Sequence, residues 1–156
     1  MNKTIAAYIA ILFICTPAFA QSSERDFVID EHGTITEYVG RDRAVVIPAQ
    51  INGRQVLGIG SRAFESNGLT SVVIPQGVTH IGDLAFIDNG LTSVTIPNSV
   101  IHIEDFAFSR NQLTSVTIPN GVTHIGAWAF NGNELTSMII PNSVTHIGDF
   151  VFADNK

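Results

Sequence analysis

Hydrophobic positions in residues 69–156 recur every 22 residues, so they follow a repeat and not the period of one helix or strand. Each unit starts with an apolar residue, and polar and apolar residues then alternate up to a proline. It then reaches an apolar-Phe pair and closes with a polar turn. A fixed period of this size predicts a solenoid, in which each coil packs only on its neighbours. The four full units occupy 69–90, 91–112, 113–134 and 135–156.

Within one unit, residues 91–96 predict a short β-segment, because β-branched residues favour strands. Alternation directs Val94 and Ile96 to the core and Ser93 and Thr95 to the other face. Stacked units would then form a parallel sheet along this segment, which the following proline ends because it has no N–H to donate. Residues 105–108 predict one tight helical turn. The pattern thus indicates a mainly parallel β-solenoid with short helical turns.

An altered fifth copy precedes the four full units and extends the predicted repeat domain to residues 44–156. Val46-Ile47-Pro48 matches the end of the later β-segments, and Ala63-Phe64 matches their Ala-Phe pairs. Additional residues after Pro48 include Asn52-Gly53. Both positions of an Asn-Gly pair tolerate positive φ, so the insertion predicts a two-residue β-hairpin that protrudes from the first coil.

Residues 21–43 lack the repeat and form the predicted N-terminal cap segment. The apolar stretches 27–29 and 34–39 flank turn residues 30–33, which predicts a β-hairpin. Such a hairpin would cover the first coil, as solenoids require. No matching segment follows the last coil. Either this coil is open to end-to-end self-association, or the array continues beyond Lys156.

The first twenty residues differ from the rest and predict a secretory signal peptide. Lys3 precedes an apolar run at 5–14, which is shorter than the about 20 residues of a membrane span. A cleavage signal follows at 18–20, so no membrane insertion is expected after cleavage. Lipidation of Cys15 is the alternative, but Ile14 is larger than the small residue expected before an acylated cysteine. The mature chain is therefore expected at the cell surface, in the periplasm or outside the cell.

Charge and motif content exclude several classes of function. The net charge of −6 argues against binding to nucleic acid or to anionic membranes. The sequence contains no nucleophile elbow and no phosphate-binding loop. Ser, His and Asp recur because the coil recurs, whereas catalysis needs one converged constellation. We therefore expect neither an enzyme nor a cofactor.

The repeat L-T-S-V-x-I-P-x-x-V-x-x-I-G-x-x-A-F resembles the BspA-type leucine-rich repeats of bacterial and some protozoan surface proteins. The resemblance covers about residues 44–156 and implies a leucine-rich-repeat solenoid on an exported protein. Many members are implicated in adhesion, so it implies protein interaction, with a host or envelope protein as partner. The alternative is a structural envelope component or spacer without a specific partner. The family often has Cys where this chain has an asparagine column.

Residues that recur in every coil are interpreted as scaffold. The asparagine column is expected to hydrogen-bond the turn backbone of adjacent coils and comprises Asn67, Asn89, Asn111, Asn133 and Asn155. The phenylalanine column is expected to form the core and comprises Phe64, Phe86, Phe108, Phe130 and Phe152. The proline column is expected to end the strands and comprises Pro75, Pro97, Pro119 and Pro141.

A histidine column occupies one position of four successive units, at His80, His102, His124 and His146. Imidazoles on neighbouring coils could in principle hold zinc or copper. A straight ladder presents its ligands in one row, however, whereas a metal ion needs ligands that converge, so no metal site is predicted. Repulsion between neighbouring imidazolium charges predicts instead that acid destabilises the array.

The column before the apolar-Phe pair varies in size but stays apolar, and it comprises Leu84, Phe106, Trp128 and Phe150. Lateral packing over the core phenylalanines is one interpretation. The other is a partly exposed stripe that binds a protein, because aromatic residues are enriched at binding hot spots. The variable turn tips 87–90, 109–112 and 131–134 lie beside it. The functional prediction rests on this aromatic stripe and not on the histidines.

Overall fold

The computed structural model describes residues 21–156, and these residues form a β-solenoid of five coils. The signal peptide predicted for residues 1–20 lies outside the described residues. Helix within 21–156 is limited to one 3-10 turn, Glu24–Asp26. The strands are β1 (Phe27–Ile29), β2 (Thr34–Tyr38), β3 (Ala44–Val46), β4 (Gln50–Ile51), β5 (Arg54–Gln55), β6 (Gly58–Ile59), β7 (Ser71–Val73), β8 (His80–Ile81), β9 (Ser93–Thr95), β10 (His102–Ile103), β11 (His124–Ile125) and β12 (His146–Ile147).

The main sheet has seven strands in the order β1-β2-β6-β8-β10-β11-β12. β1 and β2 pair antiparallel, and every later neighbour in this sheet pairs parallel. The register places the histidines of strands β8, β10, β11 and β12 opposite one another. The isoleucine after each histidine faces inward in β8, β10 and β11, where it is completely buried. Each coil therefore contributes a two-residue strand to one continuous wall.

The segments that begin with Leu-Thr-Ser in each unit form a second wall of the solenoid. The sequence predicted a parallel sheet along all of them, and the structure shows one along only part of this wall. Only β3, β7 and β9 pair on this side, and residues 115–117 and 137–139 are not strands. The last two coils separate here and leave a cleft between 115–120 and 137–142, with Ile139 86% exposed. Both walls carry β-branched residues, so propensity alone did not distinguish the wall that pairs throughout from the wall that does not.

The expected helical turn at residues 105–108 is not observed. Phe106 has φ +57°, which a right-handed helix does not allow. Its backbone N–H donates to the Ala127 carbonyl of the next coil at 2.9 Å, and the N–H of Phe108 donates to the Ala129 carbonyl at 2.8 Å. Bonds between coils thus replace the intrahelical bonds, and the segment forms tight turns.

A stack of aromatic rings runs through the core. Phe86, Phe108 and their neighbours in the phenylalanine column lie nearly parallel, with centroids 4.8–6.1 Å apart. The first four members are completely buried, whereas Phe152 in the last coil is partly exposed. Tyr38 of β2 stacks on Phe64 at 5.3 Å and extends the column into the N-terminal hairpin.

Asn111 illustrates how the asparagine column ties successive coils together. Its side-chain Oδ1 accepts the Leu91 N–H at 3.1 Å. Its Nδ2 lies 2.9 Å from the Phe86 carbonyl of the preceding coil and 3.1 Å from the Phe108 carbonyl of its own coil. The same pattern recurs at Asn89, Asn133 and Asn155. Asn67, in the first coil, is exposed.

The hairpin of β1 and β2 lies at the expected position, and its role as a cap stays a prediction. β2 pairs with β6 of the first coil, and Tyr38 donates its backbone N–H to Ala63 O at 2.8 Å. The turn is closed by Asp30, whose carboxylate accepts the N–H groups of Thr34 and His32. These hydrogen bonds, that of Thr34 first, hold the pKa of Asp30 below its usual value. Burial raises the pKa of Tyr38.

The predicted Asn52-Gly53 hairpin is confirmed. β4 and β5 pair antiparallel, and the two turn residues have φ of +52° and +78°. A Cβ on Gly53 would meet no heavy atom within 4 Å, so a substitution there acts through backbone conformation alone.

We expect Gly53→Ala to lower the free energy of unfolding by about 1–2 kcal/mol, the cost of a left-handed conformation for a residue with a Cβ. Gly53→Asn should cost less, because asparagine adopts this conformation more readily. Urea unfolding of the two variants beside the parent protein measures both effects. Equal stability of all three proteins would contradict the argument.

Candidate functional site

The aromatic stripe lies at a backbone corner that is the same in every coil. Leu84, Phe106, Trp128 and Phe150 all have φ between +56° and +60°, a region that residues with large side chains seldom occupy. In three of the four, the backbone N–H donates to a carbonyl of the next coil at 2.9 Å. Contacts between coils hold this conformation, and it directs the side chains along one edge of the solenoid.

The three aromatic side chains of the stripe stack on one another. Phe106 and Trp128 have parallel rings with centroids 6.0 Å apart, and Trp128 and Phe150 lie 4.6 Å apart. Phe106 and Trp128 are partly exposed, and Phe150 is 62% exposed. The stripe is therefore an accessible surface of contiguous aromatic rings, separate from the buried phenylalanine stack.

The turn tips beside the stripe are more packed than their sequence variation suggested. Ile87, Ser109 and Asn131 begin the three tips and are buried. The next residues are more accessible, and Arg110 lies 3.5 Å from Asp88 in an exposed ion pair. The tips thus contribute charge and backbone to the edge of the stripe, but few free side chains.

The histidines form a row on the outer face of the main sheet, as their shared register requires. Ring centroids of His80 and His102 are 6.0 Å apart, those of His102 and His124 are 5.7 Å apart, and His146 stacks on His124 at 4.4 Å. The expectation of acid sensitivity rested on repulsion within this row and stays a prediction.

Glu104 adds a carboxylate to the histidine row and was missed in the sequence. Its Oε1 lies 3.5 Å from His80 Nδ1 and 3.9 Å from His102 Nδ1, and its Oε2 lies 3.6 Å from His124 Nε2. The signal was present, because the other four coils have glycine at this position: Gly60, Gly82, Gly126 and Gly148. A carboxylate therefore faces three of the four imidazoles.

Comparison with known proteins agrees with the repeat geometry. The sequence model of the BspA type leucine rich repeat region matches residues 50–156 in six copies. The chain belongs to the BspA-type leucine-rich repeat family. Its five coils make it a repeat scaffold, the architecture that leucine-rich repeat proteins share. No curated protein matches the chain.

Solved leucine-rich repeat structures share the fold. The leucine rich repeat protein of T. pallidum is 28% identical, with a TM-score of 0.76 over 86% of this chain and 67% of that one. A leucine-rich repeat protein from Bacteroides ovatus is 32% identical, with a TM-score of 0.68 over 81% of this chain. One from Eubacterium ventriosum is 27% identical, with a TM-score of 0.61 over 78%. This BspA-type chain spans 38% and 37% of the latter two.

A membrane-spanning helix is not found among residues 21–156: none of them form a helix long and apolar enough to cross a bilayer.

Proposed function

We propose that this BspA-type chain is an exported, non-enzymatic module that binds another protein through the aromatic stripe of Leu84, Phe106, Trp128 and Phe150. The observation that carries the proposal is the contiguous, partly exposed stack of Phe106, Trp128 and Phe150. Aromatic side chains held rigidly at a surface supply contact area at little entropic cost, and tryptophan is enriched at hot spots. Adhesion to a host or envelope protein is the function that this surface and the family together support.

The left-handed conformation belongs to every coil, and what supports a binding role is the large side chains that it carries at the stripe. Bulky residues with positive φ cost stability, of order 1–3 kcal/mol each, and such strain tends to cluster at functional sites. All five coils carry it at the same edge, with Arg62 in the first coil and the four stripe residues in the others. An aromatic ring at this corner lies outside the buried phenylalanine stack, so the core alone does not require it.

We expect Trp128→Asn to weaken binding to the protein partner at least about tenfold, as at an interface hot spot. Asparagine tolerates the left-handed backbone, so the variant removes the ring and leaves the turn. Trp128 is the single tryptophan of the sequence, and its fluorescence therefore reports directly on this surface. The measurement is titration of the chain with purified extracellular-matrix and envelope proteins, with affinities taken from surface plasmon resonance.

Thr95→Asn, on the exposed face of β9, is the matched control and should bind as the parent does. Saturable binding that Trp128→Asn leaves unchanged would overturn the role of the stripe. The alternative function is a structural envelope component or spacer. It predicts no saturable binding and retention of the chain in envelope fractions.

A further inference from the structure

We propose that His80, His102 and Glu104 form a site for a divalent transition-metal ion, with zinc the expected ion. Of the residues described, these three bring their ligand atoms within 4.8 Å of one another. The site lies on the main sheet and goes beyond the protein-binding function proposed for the stripe.

Glu104 changes the geometry that makes a straight histidine ladder unsuitable for a metal. Glu104 directly follows β10, and the alternation of that strand places it beside His102 on the outer face of the main sheet. Its carboxylate approaches the row from the side, and the ligand atoms converge from two adjacent strands and a neighbouring position. Three ligands at the corners of a triangle can enclose an ion, whereas three in a line cannot.

The observed separations are close to those of a coordinated ion. Zinc bonds of about 2.0–2.1 Å in a tetrahedron place ligand atoms about 3.4 Å apart. Glu104 Oε1 already lies 3.5 Å from His80 Nδ1 and 3.9 Å from His102 Nδ1. The side chains of His80 and His102 are about half exposed, at 46% and 50%, so small rotations can close the remaining distance.

The other oxygen of Glu104 has its own partner. His124 Nε2, on the strand next to His102 and one strand further from His80, lies 3.6 Å from Oε2. A hydrogen bond from this imidazole would orient the carboxylate, as outer residues around metal ligands commonly do. The fourth ligand of the ion would be water, as in zinc sites with three protein ligands.

The glycine column around Glu104 indicates that the glutamate carries a structural cost. At each of the four glycines, an added Cβ would come within 3.0 Å of a backbone atom of the preceding strand or coil. Four coils keep glycine, and the one exception places a carboxylate among imidazoles. The neighbouring coils have Gly82 and Gly126 at this position, so neither places a side chain of its own beside that of Glu104.

The donor set selects the class of ion. Imidazole nitrogens with one carboxylate suit zinc, nickel and copper, whereas calcium and magnesium prefer oxygen ligands alone. The glutamate of this coil thus makes the site a local feature of one unit and not a property of the whole histidine column.

The experiment titrates metal-free protein with Zn²⁺ in competition with a chromophoric chelator, and with Co²⁺ to record the absorption of the coordinated ion. We expect one equivalent of ion to bind, and a loss of affinity of at least about tenfold in Glu104→Gln and His102→Gln. Glu104→Gly restores the residue of the other coils, so it should lose the ion while keeping or raising the melting temperature.

His146→Gln and His32→Gln are the controls, because neither residue contacts Glu104 and both should bind as the parent does. The proposal is overturned if Glu104→Gly binds zinc as tightly as the parent. It is equally overturned if the parent binds no ion at one equivalent, or if His32→Gln alone removes the binding.

Discussion

Replacing Phe108 by alanine is expected to lower the free energy of unfolding by about 3–5 kcal/mol, the usual cost of truncating a buried phenylalanine. Phe108 is completely buried and stacks on Phe86 at 5.2 Å and on Phe130 at 5.4 Å. Its loss therefore leaves a cavity that two neighbouring coils share. Urea unfolding followed by circular dichroism measures the change, which is a large part of the about 5–15 kcal/mol that stabilises a typical domain.

The same substitution at Phe152 provides the comparison. Phe152 lies in the last described coil, is partly exposed and stacks on Phe130 at 6.1 Å. We expect Phe152→Ala to lower the free energy of unfolding clearly less than Phe108→Ala. The Phe152 ring buries less apolar surface on folding, and its surroundings can relax into the space that it leaves. Similar losses of unfolding free energy at both positions would show that the burial of each ring does not determine how much it stabilises the protein.

Asn111→Ala is expected to cost about 3 kcal/mol although it removes only a small polar group. The Leu91 N–H has the Asn111 Oδ1 as its hydrogen-bond acceptor, and both residues are buried. Truncation leaves this donor without an acceptor, at about 1–3 kcal/mol, and also removes the bonds to Phe86 and Phe108 carbonyls. The midpoint of urea unfolding again provides the measurement.

Asn67→Ala is the control within the same column. Asn67 is exposed in the first coil, so its truncation should change stability by less than about 0.5 kcal/mol. A loss at Asn67 equal to that at Asn111 would contradict the view that the bonds between coils make the column stabilising.

The repeat class followed from the 22-residue spacing, because periodic apolar residues must build equivalent coils. The Asn52-Gly53 hairpin followed from the left-handed tolerance of those two residues. The position of the continuous sheet did not follow from the sequence, because both walls carry β-branched residues and the pairing depends on how the coils stack. The turn at 105–108 was misjudged since its left-handed backbone arises from hydrogen bonds to the next coil, which one unit of sequence does not contain.

Glu104 shows the limit of comparing only what the repeats share. The histidines recur in four units, yet their chemistry depends on Glu104, which occurs in only one of them. Its carboxylate lies diagonally opposite His80 of the neighbouring strand, and only the register of the sheet brings them together. Unit-by-unit inspection of exceptions would have found the residue, but the distances needed the structure.

Many hydrogen bonds of this molecule join residues about one unit apart, as the side-chain bonds across 20–25 positions illustrate. A recombination event that inserts or deletes one whole unit therefore leaves the bonding inside every remaining unit intact. Array length is then free to change by unequal crossover, whereas a residue such as Glu104, found in one unit, is gained or lost with that unit. One such event can consequently change both the length of the array and its local chemistry.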